Sequence, residues 1–305
     1  MFDVIGLGAA VYDTLLEIPS FPEEDTKLRA SGLLFQGGGP CSTALAACAA
    51  LGLRAAFIGA VGGDAAGAFL SDELARLGVD TAFLLRRPDC VSFHSYVLLH
   101  RAAATRTCVA YPGTAAPPQP DELPADFLRT ARVLHLDGNH LDAAIAAARI
   151  ARDAGVTVCL DAGSLYPGID ALLPLVDWLI PSERFVCRFT GTDDAGEGAR
   201  RLYDAFRPAA LAVTQGERGG FLLTPDGIRR YPAFPVDAVD TNGAGDVFHG
   251  AYIAARLRGL GEYDAAVFAS AASALKCTGM GARRHLPSFS AVTAFLRSRG
   301  VSLSP

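Results

Sequence analysis

The run ARVLHLDG (131–138), DAAIAAARIARDAG (142–155), VTVCLDAG (156–163) decides the fold. Its outer segments are short apolar stretches of strand length, and the middle one spaces its apolar residues at helical intervals and stops at Gly155. A strand that is apolar on both faces needs cover on both faces, so this strand–helix–strand unit predicts a mainly parallel sheet between helical layers.

Working outward, the pattern repeats. VIGLGAAV (4–11), AAFIGAVG (55–62), VDWLIP (176–181) and LAVTQG (211–216) read as strands. CSTALAACAALG (41–52) and AGAFLSDELARLG (66–78) read as helices that end at glycine. The C-terminal third is helical: GAGDVFHGAYIAARLRG (243–259), EYDAAVFASAASALKCTG (262–279) and SFSAVTAFLRSRG (288–300). Two regions break the alternation, TLLEIPSF with KLRASGLLFQ and VSFHSYVLLHR with TRTCVAYPG. Segments 14–36 and 91–113 are therefore expected to form a small β lid over the strand ends, where open α/β sheets bind ligands. AAPPQPDELP (115–124) reads as a loop. One domain spanning 1–305, with the lid inserted in it, fits the length.

Half of the 305 residues are hydrophobic, 19% are charged and the net charge is −5, with no block of like charge. These numbers predict a large core and point away from nucleic-acid and membrane partners. The seven scattered cysteines, without a CxxC pair, read as reduced thiols, and the N-terminal stretch reads as a strand, so a cytoplasmic location is expected.

The chemistry concentrates in DTNGAGDVFHG (240–250). Gly243, Ala244 and Gly245 precede a helix, and Asp246 falls in its first turn. A helix N-terminus presents unpaired N–H groups and a positive dipole end, and glycines let an anion approach them. A carboxylate beside such an anion hole suits phosphoryl transfer, in which it takes the proton of the attacking hydroxyl. On spacing alone a second reading stays open: a tight Gly-Ala-Gly turn and an ordinary first-turn aspartate.

DTNGAGDVFHGAY resembles the second signature of the ribokinase (PfkB) family of carbohydrate and nucleoside kinases, with Asn242 where threonine is usual. GGGPCSTALAACAALG and IGAVGGDAAG, within 37–67, resemble the first. With Asp13 near one end and GARRHLP (281–287) near the other, the resemblance covers nearly the whole chain. It implies a ribokinase-like three-layer α/β/α fold and ATP-dependent phosphorylation of a primary hydroxyl of a sugar or sugar-like compound, with Mg2+ and a homodimer formed through the β lid. Asp246 would be the base and Gly243, Ala244 and Gly245 the anion hole. Asp13, Lys27, Gly37, Gly38, Gly39, Ser42, Asp137 and Asn139 would line the sugar site, and Thr214, Gly216, Gly219 and Gly281 the ATP site. Asp240 and Asn242 would supply oxygens to a potassium-like ion.

The departures bear on substrate and metal. Ser42 replaces an asparagine that usually contacts the sugar. The Asn-X-X-Glu motif linked to magnesium falls on Ser182 and Phe185, with Glu183 between them as either a substitute or a surface residue. Within the family the nearest look is to sulfofructose kinases, through GGGPxxTA, DTxGAGDVFHGA, ALKCT and Lys27. A sulfonate demands cationic donors, and Asp137-Gly138-Asn139-His140 stands where that group carries an arginine, so a neutral polyhydroxylated substrate is expected. His140 and His249 read as structural residues. The alternatives are a nucleoside kinase, with Phe93, Tyr96 and Tyr111 as a shelf for the base, a sulfofructose kinase, and a non-catalytic sugar- or nucleotide-binding sensor.

Overall fold

The computed structural model describes residues 2–100, 105–224 and 226–303; Arg101 to Ala104, within the expected lid segment 91–113, lie outside the described residues. The strands are β1 (Val4–Leu7), β2 (Val11–Ile18), β3 (Gly32–Gly38), β4 (Ala55–Gly62), β5 (Val79–Asp80), β6 (Leu84–Arg87), β7 (Phe93–His100), β8 (Thr105–Tyr111), β9 (Val133–Leu136), β10 (Thr157–Ala162), β11 (Trp178–Pro181), β12 (Ala210–Thr214), β13 (Gly220–Thr224) and β14 (Gly227–Tyr231). The helices are α1 (Pro40–Ala50), α2 (Ala65–Arg76), α3 (Ala125–Leu128), α4 (Leu141–Asp153), α5 (Glu183–Thr190), α6 (Ala195–Phe206), α7 (Ala244–Leu257), α8 (Glu262–Cys277) and α9 (Phe289–Ser298).

The central sheet runs β14-β13-β12-β11-β10-β9-β1-β4-β5, with β6 pairing a further part of β4. It is parallel from β12 to β5, and β13 and β14 add an antiparallel edge. Two buried clusters cover its faces. One holds α1, α7 and α8, the other α4, α5 and α6. Helix α1 lies so close to α7 that a Cβ on Gly250 would stand 2.3 Å from the Ala44 carbonyl oxygen. The local start signals are side-chain caps: Asp64 accepts from the Gly67 amide, Ser182 from Phe185, Asp194 from Glu197 and Ser288 from Ala291.

The strand expected over 4–11 ends at Leu7. Val11 instead opens β2, in the second sheet, β3-β2-β7-β8. The strand expected over 27–36 begins only at Gly32, so Lys27 stands in an exposed connecting loop. Cross-strand register sorts the lid's two faces. Asp13 pairs with Gln36 and Ser95, giving a polar row on one face; Thr14 pairs with Phe35 and Tyr96, and Tyr96 with Val109, giving an apolar row on the other.

Candidate active site

Helix α7 starts at the C-terminal edge of the sheet. Its N-cap, Gly243, has φ 77°, and a Cβ there would lie 2.8 Å from that of Ala282, so the left-handed turn and the close loop both require glycine. Ala244 spends its amide on the Thr241 carbonyl (3.2 Å), whereas the amides of Gly245 and Asp246 have no acceptor among the described residues. A Cβ built on Gly245 meets nothing within 4 Å, so the space beside that residue is open. The amides left without an acceptor are thus those of Gly245 and Asp246, one residue along the chain from the Gly243–Gly245 set that the resemblance implied.

Asp246 stands in this first turn. Burial pushes its carboxyl up to about 7, and the Asp161 carboxylate adds to the rise; His249 and Arg283 oppose it, and Asp137 reinforces it. A carboxylate that titrates near neutrality suits a base that must gain and lose a proton in each cycle. The pH dependence that such a role would give follows in sign: a base acts when deprotonated, so with Asp246 as the base kcat/KM would climb as pH rises through about 7. Asp161→Asn removes one repelling charge and should move that limb to lower pH. A limb unmoved by Asp161→Asn would assign it to another group.

His249 does more than pack. Nδ1 lies 2.7 Å from the Gly245 carbonyl oxygen and Nε2 3.1 Å from that of Ile180, with Asp161 Oδ2 3.4 Å from Nδ1. It ties the first turn of α7 to β11. His140 caps α4 in a left-handed conformation, and burial lowers its ring to about 4, in keeping with a structural residue.

Where the resemblance implies the sugar, Asp13 is buried and its carboxyl is raised by that burial; the neighbouring Gln36 and Ser95 side chains and the Arg283 charge offset the rise. The three glycines 37–39 are demanded by what lies behind them. A Cβ would come within 2.1 Å of Glu73 Oε2 at Gly37, 2.3 Å of Asp13 Oδ2 at Gly38 and 2.1 Å of the Ala9 carbonyl oxygen at Gly39. Ser42 does not simply shorten the missing asparagine. Its hydroxyl accepts from Arg283 Nη2 (2.6 Å) and lies 2.9 Å from the Gly38 carbonyl oxygen. Asp137 is 3% exposed, and its oxygens accept from the amides of Ala9, Cys41 and Asn139. It braces the backbone at the ends of three segments. Asn139 is half-buried.

Arg283 had no place in the sequence reading. It is 3% exposed, pairs with Glu73 (3.0 Å) and donates to the Gly38 carbonyl (2.7 Å) and to Thr43 (3.0 Å). Nothing local in GARRHLP announces a partner 210 residues away. Arg106, on lid strand β8, reaches Thr241 Oγ1 at 3.2 Å and joins the lid to the anion-hole turn.

Where the resemblance implies ATP, the structure has a cavity of about 540 Å3. Thr214, Gly216 and Gly219 line it at one end, Thr241, Ala244 and Gly245 at the other, with Tyr231, Phe234, Phe248, Ser270, Ser273, Ala274 and Cys277 along the walls. Gly281 is not in this lining; its amide donates to Asp240 Oδ2 (2.8 Å). Asn242 gives its own amide to Asp240 Oδ1 (2.8 Å). Glu183 accepts from Gln215 (2.8 Å) and is salt-bridged to Arg218, so its carboxylate is engaged beside the cavity. Ser182 caps α5 and Phe185 is core, which confirms that no Asn-X-X-Glu pair exists here.

A model of the pfkB family of carbohydrate kinases matches residues 1–288. The chain belongs to this family. It is 31% identical to an ATP-dependent ribose-1-phosphate kinase of Halopiger xanaduensis over 98% of this chain and 99% of the relative. It is also 31% identical to a fructokinase of Klebsiella pneumoniae over 92% and 95%. The fold matches that of a ribokinase from Thermotoga maritima, with a TM-score of 0.87, 21% identity and coverage of 97% and 100%. The protein is an ATP-dependent carbohydrate kinase, within the sugar and nucleoside kinases of this family. All seven cysteines are unpaired, and among the described residues no helix is long and apolar enough to cross a membrane.

Proposed function

We propose that this kinase transfers the terminal phosphoryl group of ATP to a primary hydroxyl of a neutral, polyhydroxylated sugar, with Asp246 as general base. The observation that carries this reading is the position of the α7 N-terminus between the two half-sites. Ala244 and Gly245 close the nucleotide cavity, while Asp246 lies within electrostatic reach of Arg283 behind the glycine wall. The sugar oxygen attacks the terminal phosphorus, the bond to the ADP oxygen breaks, and the hydroxyl proton passes to Asp246. The open amides of Gly245 and Asp246 meet the charge on the transferring group. Asp13 and Asn139 read sugar hydroxyls. Mg2+ would come bound to the triphosphate and would offset its charge; among the described residues no group of three His, Cys, Asp or Glu side chains is placed to hold a metal, and Glu183 is engaged by Arg218.

Arg283 brings a guanidinium to the sugar side, yet four of its N–H groups are taken by Glu73, Gly38, Ser42 and Thr43, which supports a neutral substrate. Arg106 favours a second reading, a phosphorylated sugar, since it carries a cation on the lid close to the anion-hole turn. The aromatic shelf for a nucleoside base is weakened, because Tyr96 and Tyr111 fall in the rows of Thr14 and Tyr12, on the lid face opposite Asp13. That outer face exposes Leu33, Phe35, Tyr96, Val109 and Tyr111, and a second copy of the chain covers it in a homodimer.

The test is ATP consumption against ketoses, aldoses, ribose-1-phosphate, sulfofructose and nucleosides. Turnover of one neutral sugar is expected. Preference for a phosphorylated or sulfonated sugar would replace the neutral reading, and Arg106→Ala should then raise KM for that substrate.

A further inference from the structure

Lys276 is fully buried in the alanine-rich helix α8. Burying an ammonium is costly unless acceptors and opposite charge meet it. Its Nζ donates to the Asp240 carbonyl oxygen at 2.8 Å, and the charges of Asp240 and Asp246 lie within reach. Asp240 is the hub of the anion-hole turn. Its carboxylate holds the Asn242 amide on one side and the Gly281 amide on the other, while its own amide and that of Val239 bind the Cys277 carbonyl. One buried amine therefore ties α8 to the residue from which the turn 240–245 is hung.

The resemblance implied a potassium-like ion with oxygens from Asp240 and Asn242. The residues present do not fit that ion well. The Asp240 carbonyl oxygen already accepts from Lys276, and both carboxylate oxygens accept from amides. A second monovalent cation at contact distance from the ammonium would be repelled by it. We propose that Lys276 is a built-in monovalent cation, whose ammonium fixes the anion-hole turn through Asp240 so that the protein works without potassium. The inference rests on the phosphoryl-transfer reading above. It concerns how the turn is held rather than what is phosphorylated.

The test compares the parent protein with Lys276→Met in potassium chloride and in tetramethylammonium chloride at equal ionic strength, reading both turnover and Tm. The parent is expected to be indifferent to the cation in both. Lys276→Met is expected to lose about tenfold or more in kcat in the tetramethylammonium salt, the scale of one charge-assisted hydrogen bond. Potassium should restore much of that rate and raise the variant's Tm. Activation of the parent by potassium would overturn the proposal. So would a loss in Lys276→Met that potassium restores in neither readout, since Lys276 would then have a purely structural part. Should the methionine variant fail to fold, Lys276→Gln keeps a donor without the charge, and full potassium-free activity in it would also overturn the idea. If no sugar is turned over at all, the kinase reading fails by itself. The Tm response then still decides: a parent Tm raised by potassium counts against the built-in cation, a variant Tm raised alone counts for it.

Discussion

Asp246→Asn is expected to bind ATP and sugar while turning over about 10²–10⁴-fold more slowly, the usual contribution of a positioned general base. The amide keeps the size of the carboxylate but cannot take a proton. The open amides of Gly245 and Asp246 are untouched, so phosphate binding survives. The same change should stabilise the fold above neutrality. The folded carboxyl titrates at about 7, above its ordinary value of 3.8, so the native state holds the proton more tightly than the unfolded chain. Stability from this group is fully present below pH 4 or so and is lost as pH rises through about 7. Asparagine cannot ionise, so at alkaline pH the variant should gain on the order of 2–4 kcal/mol over the parent, one pKa unit being about 1.4 kcal/mol. Isothermal titration with each ligand, steady-state rates and denaturation across pH check the three parts. A variant with parental turnover would remove Asp246 from the chemistry.

Arg283→Met is the second large effect. The side chain is 3% exposed and has four polar contacts, so its loss strands Glu73 with only the Gly37 amide among the described residues. Removing one partner of a buried pair costs about 3–5 kcal/mol, and for a domain of this size that lowers Tm by roughly 5–15 °C. The double change Glu73→Leu with Arg283→Met should recover part of the loss, because no unpaired charge remains. The KM for sugar should rise in Arg283→Met more than kcat falls, since the guanidinium supports the wall at Gly38 and Ser42 rather than the reacting atoms. A double variant whose cost is simply the sum of the Glu73→Leu and Arg283→Met costs would show that the pair is not coupled.

Much of the scaffold was legible because its signals are local. The strand AAFIGAVG matches β4 residue for residue, and the glycine stops of α1 and α2 are where the chain turns. Asp246 and the glycines before it declared a helix start by spacing alone. Other features depend on distant partners. VIGLGAAV reads as one strand, but Gly8 passes so near Asp137 that a side chain there would collide, and the chain leaves the first sheet for the lid. Asp137 looks like a hydroxyl reader at a strand end, and nothing local tells that the amides of Ala9 and Cys41 also bind it. Glu73, Lys276 and Arg283 carry no local mark of their roles, because each partner lies in another part of the chain.

The bonds from Arg283 to Gly38 and Ser42 span 245 and 241 residues, and the one from Ala282 to Gln36 spans 246. During synthesis the lid strands and the first helices emerge long before the segment that completes their pocket. Loops of that length close late and slowly. A growing chain can therefore lay down most of its sheet while the sugar wall still lacks the guanidinium that supports it. Ligand binding would mark a finished molecule, and a sugar supplied during refolding should act on the last step, not the first.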